Sequence, residues 1–457
     1  MRISKILVIS MLIVLSVLST CYADDRVSLG FLYGSTGNID LIDRTNGGIN
    51  QVSPTCLDLT DNGNLLVTSN LTHEFVNQMH DRNIIVTPFL SNHWARQKGR
   101  NAISNAERLT DQIVYTVIEY ELDGVNVDIE NLTVEDRDAL SEFVRMLKEK
   151  MPEGTILSVS VAANPNDSLT GWQGSYDYDM LGEYADYLFI MSYDEHGIGS
   201  PQGPVSSTYF YEKSILTALK HVSKDKIVMG IPFFGRYWKL DEETGEYRGG
   251  DAVVIGAMSN IMNKVKGEYE YNELVGEASY TFTITDESEP ITINGTTLTN
   301  GTYVIWYQTN DSIRDKLWLV NFYDLLGAGV WALGQEKVEV WDYYYKRLNE
   351  KERIPEEQIM LALLEEENAS ASDRIDFDFI NEQIMKERNT LTEMNVVNTV
   401  EPNNHADEMT HKPEKKYEKV SFKKTIEYIQ RRVIRKKEDD TIDTNNNDHI
   451  FRMEANY

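Results

Sequence analysis

From Val27 to about Leu348, apolar runs of strand length alternate with amphipathic helical patterns. This predicts an α/β chain folded as a (β/α)8 TIM barrel. Repeated β-α units imply a parallel sheet, and eight of them imply closure. A length of 457 residues with 41% hydrophobic composition suffices for one such domain plus extra segments. In that architecture, functional groups collect at the C-terminal ends of the strands.

The expected strands are Val27–Tyr33, Asn50–Leu57, Asn83–Leu90, Leu122–Glu130, Thr155–Ala162, Ala185–Ser192, Lys226–Phe233 and Gly327–Gly334. Each is rich in β-branched or large apolar residues. Helical patterns fall between them at Ala106–Tyr120, Val134–Lys150, Glu212–Val222 and Ser312–Leu325. One interval is too long for a simple crossover, at about 239–303. It contains the strand-like runs Tyr280–Thr285, Ile291–Ile293 and Thr302–Trp306, with turns at Asn294-Gly295 and Asn300-Gly301. These read as antiparallel strands.

The ends differ in character. Arg2 and Lys5 precede the apolar run Ile6 to Leu18, and Cys21-Tyr22-Ala23 offers a small-x-small cleavage site. Residues 1–23 therefore read as a secretory signal, with a mature chain from Asp24. The run is short for a membrane span. The alternative, a lipoprotein signal at Cys21, fits poorly with Thr20 before it. After cleavage Cys56 stands alone, so no intrachain disulfide is expected. No cluster of Cys and His has metal-ligand spacing, and no cofactor is expected. The catalytic unit is placed at 24–350.

Residues 351–457 read as a charged tail, disordered or loosely helical. Its basic stretch 412–437 is foremost a solvated charged helix. A weak contact with anionic wall polymers or lipid headgroups is the alternative. The formal net charge of −29 argues against nucleic acid as a partner. A monomer is expected.

The chemistry concentrates in Leu122-Asp123-Gly124-Val125-Asn126-Val127-Asp128-Ile129-Glu130. On a strand, alternate side chains point to opposite faces. Val125, Val127 and Ile129 share one face; Asn126, Asp128 and Glu130 share the other. Burying such polar groups is costly unless they hydrogen-bond or do chemistry. Neighbouring carboxyls push each other's pKa values apart, so one can keep its proton while the other is charged.

This stretch resembles the signature strand of family 18 glycoside hydrolases, the chitinase-like enzymes, whose pattern is D-G-x-D-x-D-x-E. Asp123, Gly124, Asp128 and Glu130 match, while Asn126 replaces the middle Asp. With Asn131 following, it looks closer to the spore-cortex-lytic and sporulation-associated peptidoglycan N-acetylglucosaminidases of the family. Further segments are similar in order. They are Leu157–Ala162, Met191-Ser192-Tyr193-Asp194, Met229–Arg236 and Gly329–Glu336. Glu195-His196, Gly203-Pro204-Val205 and Trp306-Tyr307 also look spore-type. The interval at 239–303 is similar in position to the family's α+β insertion, a wall of the substrate cleft.

The resemblance implies hydrolysis of β-1,4-linked N-acetylhexosamine polymers, with the substrate's acetamido oxygen as nucleophile. Glu130 would then be the acid and later the base. Asp128 would stabilise the acetamido group and Tyr193 would hydrogen-bond it. Asp194 would support that site, and Trp331 would floor the sugar. Asn126 could donate to Asp128 and favour its ionised form. Asp123 is expected to be structural. His93, Trp94 and His196 fall in loops at the catalytic end. Peptidoglycan is the expected polysaccharide partner. The alternatives are chitin or chitooligosaccharides, a non-catalytic sugar-binding barrel, and a structural spore-coat or wall protein. Retention of Glu130 argues against the lectin.

Overall fold

The computed structural model describes residues 25–34 and 39–350. The signal expected at 1–23 and the tail expected at 351–457 lie outside the described residues. Among those described, no helix is long and apolar enough to cross a membrane.

The first parallel strand, Val27–Leu32, pairs on one side with the second and on the other with the eighth, Gly327–Trp331. The second is broken into Gln51–Pro54 and Leu57–Leu59, and the third into Ile85–Val86 and Phe89–Ser91. Like pieces pair with like, the breaks falling opposite one another. Pro88, which has no N–H to donate, sits in the third strand's break. The series continues through Gly124–Asp128, Ile156–Ala162, Tyr187–Met191 and Ile227–Pro232 back to the eighth strand. The result is an α/β architecture with a curled, barrel-like parallel sheet.

Strand and helix bounds shift for local reasons. The fourth strand opens at Gly124, where a Cβ would fall 1.9 Å from the carbonyl oxygen of Ile156. It closes at Asp128, two residues before Glu130. The helical pattern expected from Val134 begins as a 3-10 turn, Val134–Asp136, inside a Thr133/Asp136 capping box. The α-helix proper is Arg137–Lys150. The helix expected from Glu212 starts earlier, at Thr208, because the Ser207 hydroxyl caps it.

Between the seventh and eighth parallel strands the chain forms a five-stranded antiparallel sheet. Its order is Tyr247–Val254, Phe234–Leu240, Gly301–Tyr307, Glu277–Ile284, Gly267–Asn272. It begins at Phe234, directly after the seventh strand, and is wider than the 239–303 expected. The hairpin Thr292–Ile293 and Thr296–Thr297 stands apart from it, turning on Asn294 and Gly295, both with positive φ.

The apolar residues divide as the parity of the fourth strand predicts. Val125, Val127 and Ile129 pack outward with Leu109, Ile113, Val144 and Leu147. Inside the curl, Leu29, Phe31, Phe89, Tyr187, Phe189, Met191 and Val228 fill the interior. Cys56 is buried and free, and burial pushes its thiol up to about 12, which keeps it unreactive.

Candidate active site

Asn126, Asp128 and Glu130 do lie in series, at different depths. Asn126 is fully buried. Its amide donates to Ser158 Oγ (2.9 Å) and accepts from Ser160 Oγ (2.8 Å). The expected donation to Asp128 is absent because the serines of the fifth strand, on the same interior face, take both ends of the amide. Asp128 instead has the hydroxyls of Ser91 and Ser160 against its carboxyl, the single Ser160 proton being shared with Asn126 Oδ1. Burial dominates those bonds and the nearby His93, and pushes its carboxyl up to about 6. The expectation that Asn126 favours ionised Asp128 is therefore offset by desolvation.

Glu130 is half-buried just past the strand end. Its carboxyl is held well above the usual range, first by burial, then by the charges of Asp128 and Asp194. Its backbone is pinned by a side chain: Glu130 N–H donates to Asn92 Oδ1 (2.9 Å), and Asn92 Nδ2 donates to the Glu130 carbonyl (2.8 Å). Asn131 then takes a left-handed turn at φ 61°. Tyr176 donates its hydroxyl to the Ile129 carbonyl at 3.1 Å.

Tyr193 stands against the same pair. Its phenol is raised by burial and then by the charges of Glu130, Asp128 and Asp194. Asp194 is exposed, with φ 61°. Arg236 clamps it with two bonds of 2.6 and 2.8 Å, and also donates to the Gly250 carbonyl. Trp331 closes the eighth strand over the interior aromatics. Its ring lies 5.4 Å from Phe31, 5.9 Å from Phe89 and 5.8 Å from Tyr33. The Trp331–Ala332 peptide is cis. Trp94 is half exposed and meets Trp172 edge-on at 5.1 Å.

Asp123 is off this face. Its carboxylate accepts from the Val86 N–H (2.7 Å) and meets His80 at 2.9 Å, the structural role its parity suggests. His93 faces Asp58 at 2.6 Å. His196 is packed on Gly203 and bonded to the Pro201 carbonyl, with desolvation lowering its pKa.

Sequence reading missed Asn92, Tyr176, Ser91 and Arg236 as parts of the site. Ser158 and Ser160 were legible: they alternate with Leu157, Val159 and Val161 and so face the interior. Among the described residues no group of His, Cys, Asp and Glu could hold a metal ion.

The raised carboxyls have a thermodynamic consequence. A carboxyl whose pKa is raised by folding favours the folded state only while protonated, and stability falls as pH rises above its unfolded value. At neutral pH the fold carries the cost of Glu130 in a buried, like-charged setting. Glu130→Gln should therefore melt higher than wild type near pH 8, and the gap should close toward pH 4, where Glu130 is protonated in both states. Differential scanning calorimetry across pH tests this; a gap that widens on acidification contradicts the assignment.

The profile of the glycosyl hydrolases family 18 matches residues 87–336. YvbX, an uncharacterized glycosylase of Bacillus subtilis, is 30% identical over 238 residues, 51% of this chain and 64% of its own. A cortical fragment-lytic enzyme of Bacillus anthracis is 25% identical over 236 residues, 50% of each chain. The matches thus span between half and just under two-thirds of these curated relatives. Among solved structures, a chitinase from Chromobacterium violaceum superposes with a TM-score of 0.63 at 23% identity, over 71% of this chain and 99% of that one, a likeness of fold. With more than half its length matched, and with the acidic strand tip inside the match, the chain belongs to the glycosyl hydrolases family 18.

Proposed function

We propose that this protein is a glycoside hydrolase that cleaves β-1,4-linked N-acetylhexosamine glycans, with peptidoglycan as substrate, by a substrate-assisted retaining reaction. The observation that carries the reading is the coupled pair at the end of the fourth strand. Asp128 lies buried beneath Glu130, and burial together with the neighbouring charges of Asp128 and Asp194 raises the Glu130 carboxyl, which favours its protonated form. Glu130, nearer the surface, gives that proton to the leaving oxygen and later takes one from water. Asp128 balances the positive charge that develops when the acetamido oxygen attacks the anomeric carbon. Tyr193 hydrogen-bonds the acetamido group. Asp194 flanks it, oriented by Arg236. Trp331 supplies an apolar floor for the sugar ring. Asn126 acts from beneath, by holding Ser158 and Ser160 in place below Asp128, rather than by touching sugar.

We read the curled sheet as a closed (β/α)8 barrel, and the antiparallel sheet 234–307 as an insertion walling the cleft. A relative named for lysis of cortical fragments favours peptidoglycan and a spore or wall setting. A structural neighbour described as a chitinase favours the second reading, chitin. Mass spectrometry of products from purified cortex peptidoglycan and from chitin oligomers, run side by side, decides. Reducing-end N-acetylglucosamine released from peptidoglycan is the expected result. Turnover of chitin alone moves the enzyme to the second reading.

A further inference from the structure

The loop after the third strand and the first turn of the helix Arg96–Ser104 carry three basic side chains, and two have carboxylate partners. His93 faces Asp58 at 2.6 Å, and Lys98 faces Asp61 at 3.9 Å. Arg96 has none. Among the described residues, Arg96 and Arg108 are the only arginines without a carboxylate in ion-pair range. In a chain of net charge −29, an unbalanced guanidinium is the exception.

Arg96 is exposed yet held. Its Nε donates to the Asn131 carbonyl at 2.6 Å and one terminal nitrogen to Asn131 Oδ1 at 2.8 Å. The Asn131 amide in turn donates to the Trp94 carbonyl at 2.8 Å. His93 and Trp94 both sit at positive φ, 48° and 64°, so the loop is fixed in an uncommon conformation. Asn131 is the residue directly after Glu130. The cation is therefore tied, through neutral acceptors only, to the tip of the strand that carries the acid, beside the half-exposed ring of Trp94.

A guanidinium presents five N–H donors in a fixed fork. Two of them serve to orient Arg96, and the rest remain for an anion. Neutral chitin offers none. Peptidoglycan does: N-acetylmuramic acid bears a lactyl carboxylate, free or amidated to a stem peptide with carboxylates of its own.

We infer that Arg96 is a specificity-determining residue that binds a carboxylate borne by the muramyl part of the glycan, next to the cleavage site. This inference rests on the proposed action on N-acetylhexosamine glycans, and deepens it by naming the substituent recognised.

The test uses the full chain with Glu130→Gln, so that ligands persist, and calorimetric titration with three tetramers. One is N-acetylglucosamine alone. The second alternates N-acetylglucosamine with peptide-free N-acetylmuramic acid. The third carries stem peptides. Adding Arg96→Gln should lower the affinity ratio of a muramyl tetramer over the neutral one by about threefold to tenfold. The loss should shrink in high salt. Arg96→Lys, which keeps the charge but not the fork tied to Asn131, should keep only part of the ratio. A loss confined to the peptide-free tetramer assigns the lactyl carboxylate; a loss confined to the third assigns the stem. Unchanged ratios for both muramyl tetramers overturn the inference, as does an equal loss for the neutral tetramer. If the Glu130→Gln chain binds none of the three, the functional reading itself falls.

Discussion

Glu130→Gln should lower kcat on N-acetylhexosamine glycans by at least about 10²–10⁴-fold, the usual contribution of a positioned general acid. Gln keeps the size of Glu and much of its hydrogen bonding, so KM and the affinity for oligomers should change little. The geometry makes this variant unusually clean. The Glu130 backbone is held at both its N–H and its carbonyl by Asn92, independently of the side chain. The turn that follows is fixed by Asn131, Arg96 and Trp94. Replacing the carboxyl should therefore leave the strand tip where it is, and the loss should appear in kcat. The same variant is expected to be the more heat-stable protein at neutral pH, because it no longer carries a carboxyl that ionises freely in the unfolded chain but is disfavoured as an anion beside Asp128 and Asp194. A drop in activity with a rise in melting temperature separates lost chemistry from lost folding. Near wild-type hydrolysis would remove Glu130 from its role. In wild type, the basic limb of the pH profile should follow loss of the Glu130 proton, and the acidic limb the titration of Asp128 near 6.

The curled parallel sheet and the acidic strand tip were legible because both rest on short-range rules. Period-two alternation puts Asn126, Asp128 and Glu130 on one face and the valines on the other, and burial of Val125 and Val127 follows. What reading the chain could not supply was depth and partnership. Spacing alone sets Asn126 beside Asp128, yet two serines from the next strand take its amide. Those bonds cross strands 32 and 34 residues apart in the chain, and no local pattern encodes them. The strands Tyr247–Val254 and Gly267–Asn272 were missed for a related reason. They form the two edges of their sheet, and a strand such as Gly267–Asn272 is exposed and polar, so it lacks the apolar alternation that marks a half-buried strand. Asn92, Tyr176 and Arg236 act through backbone or second carboxylates, and their residue types carry no signal until the loops are placed.

Asp128 supports the larger mechanistic claim, that the nucleophile belongs to the substrate. Asp128 is buried, has the hydroxyls of Ser91 and Ser160 against its carboxyl, and lies two residues inward from the acid. A two-carboxylate retaining enzyme would use it to attack the sugar and form a covalent glycosyl-enzyme. In the proposed reaction it stays ionic, facing the ring formed when the acetamido oxygen closes on the anomeric carbon. A thiazoline analogue of N-acetylglucosamine mimics that ring and should compete tightly for the site, since mimics of late species exploit interactions made late in the reaction. Substrates lacking the 2-acetamido group should not turn over. Asp128→Asn removes the counter-charge while keeping shape, and kcat should fall by about 10²–10³-fold, the scale for losing one preorganised electrostatic partner. Intact-protein mass spectrometry during turnover discriminates directly. The protein should keep its unmodified mass throughout, and a sugar trapped on Asp128 or Glu130 would place the enzyme in the two-carboxylate class.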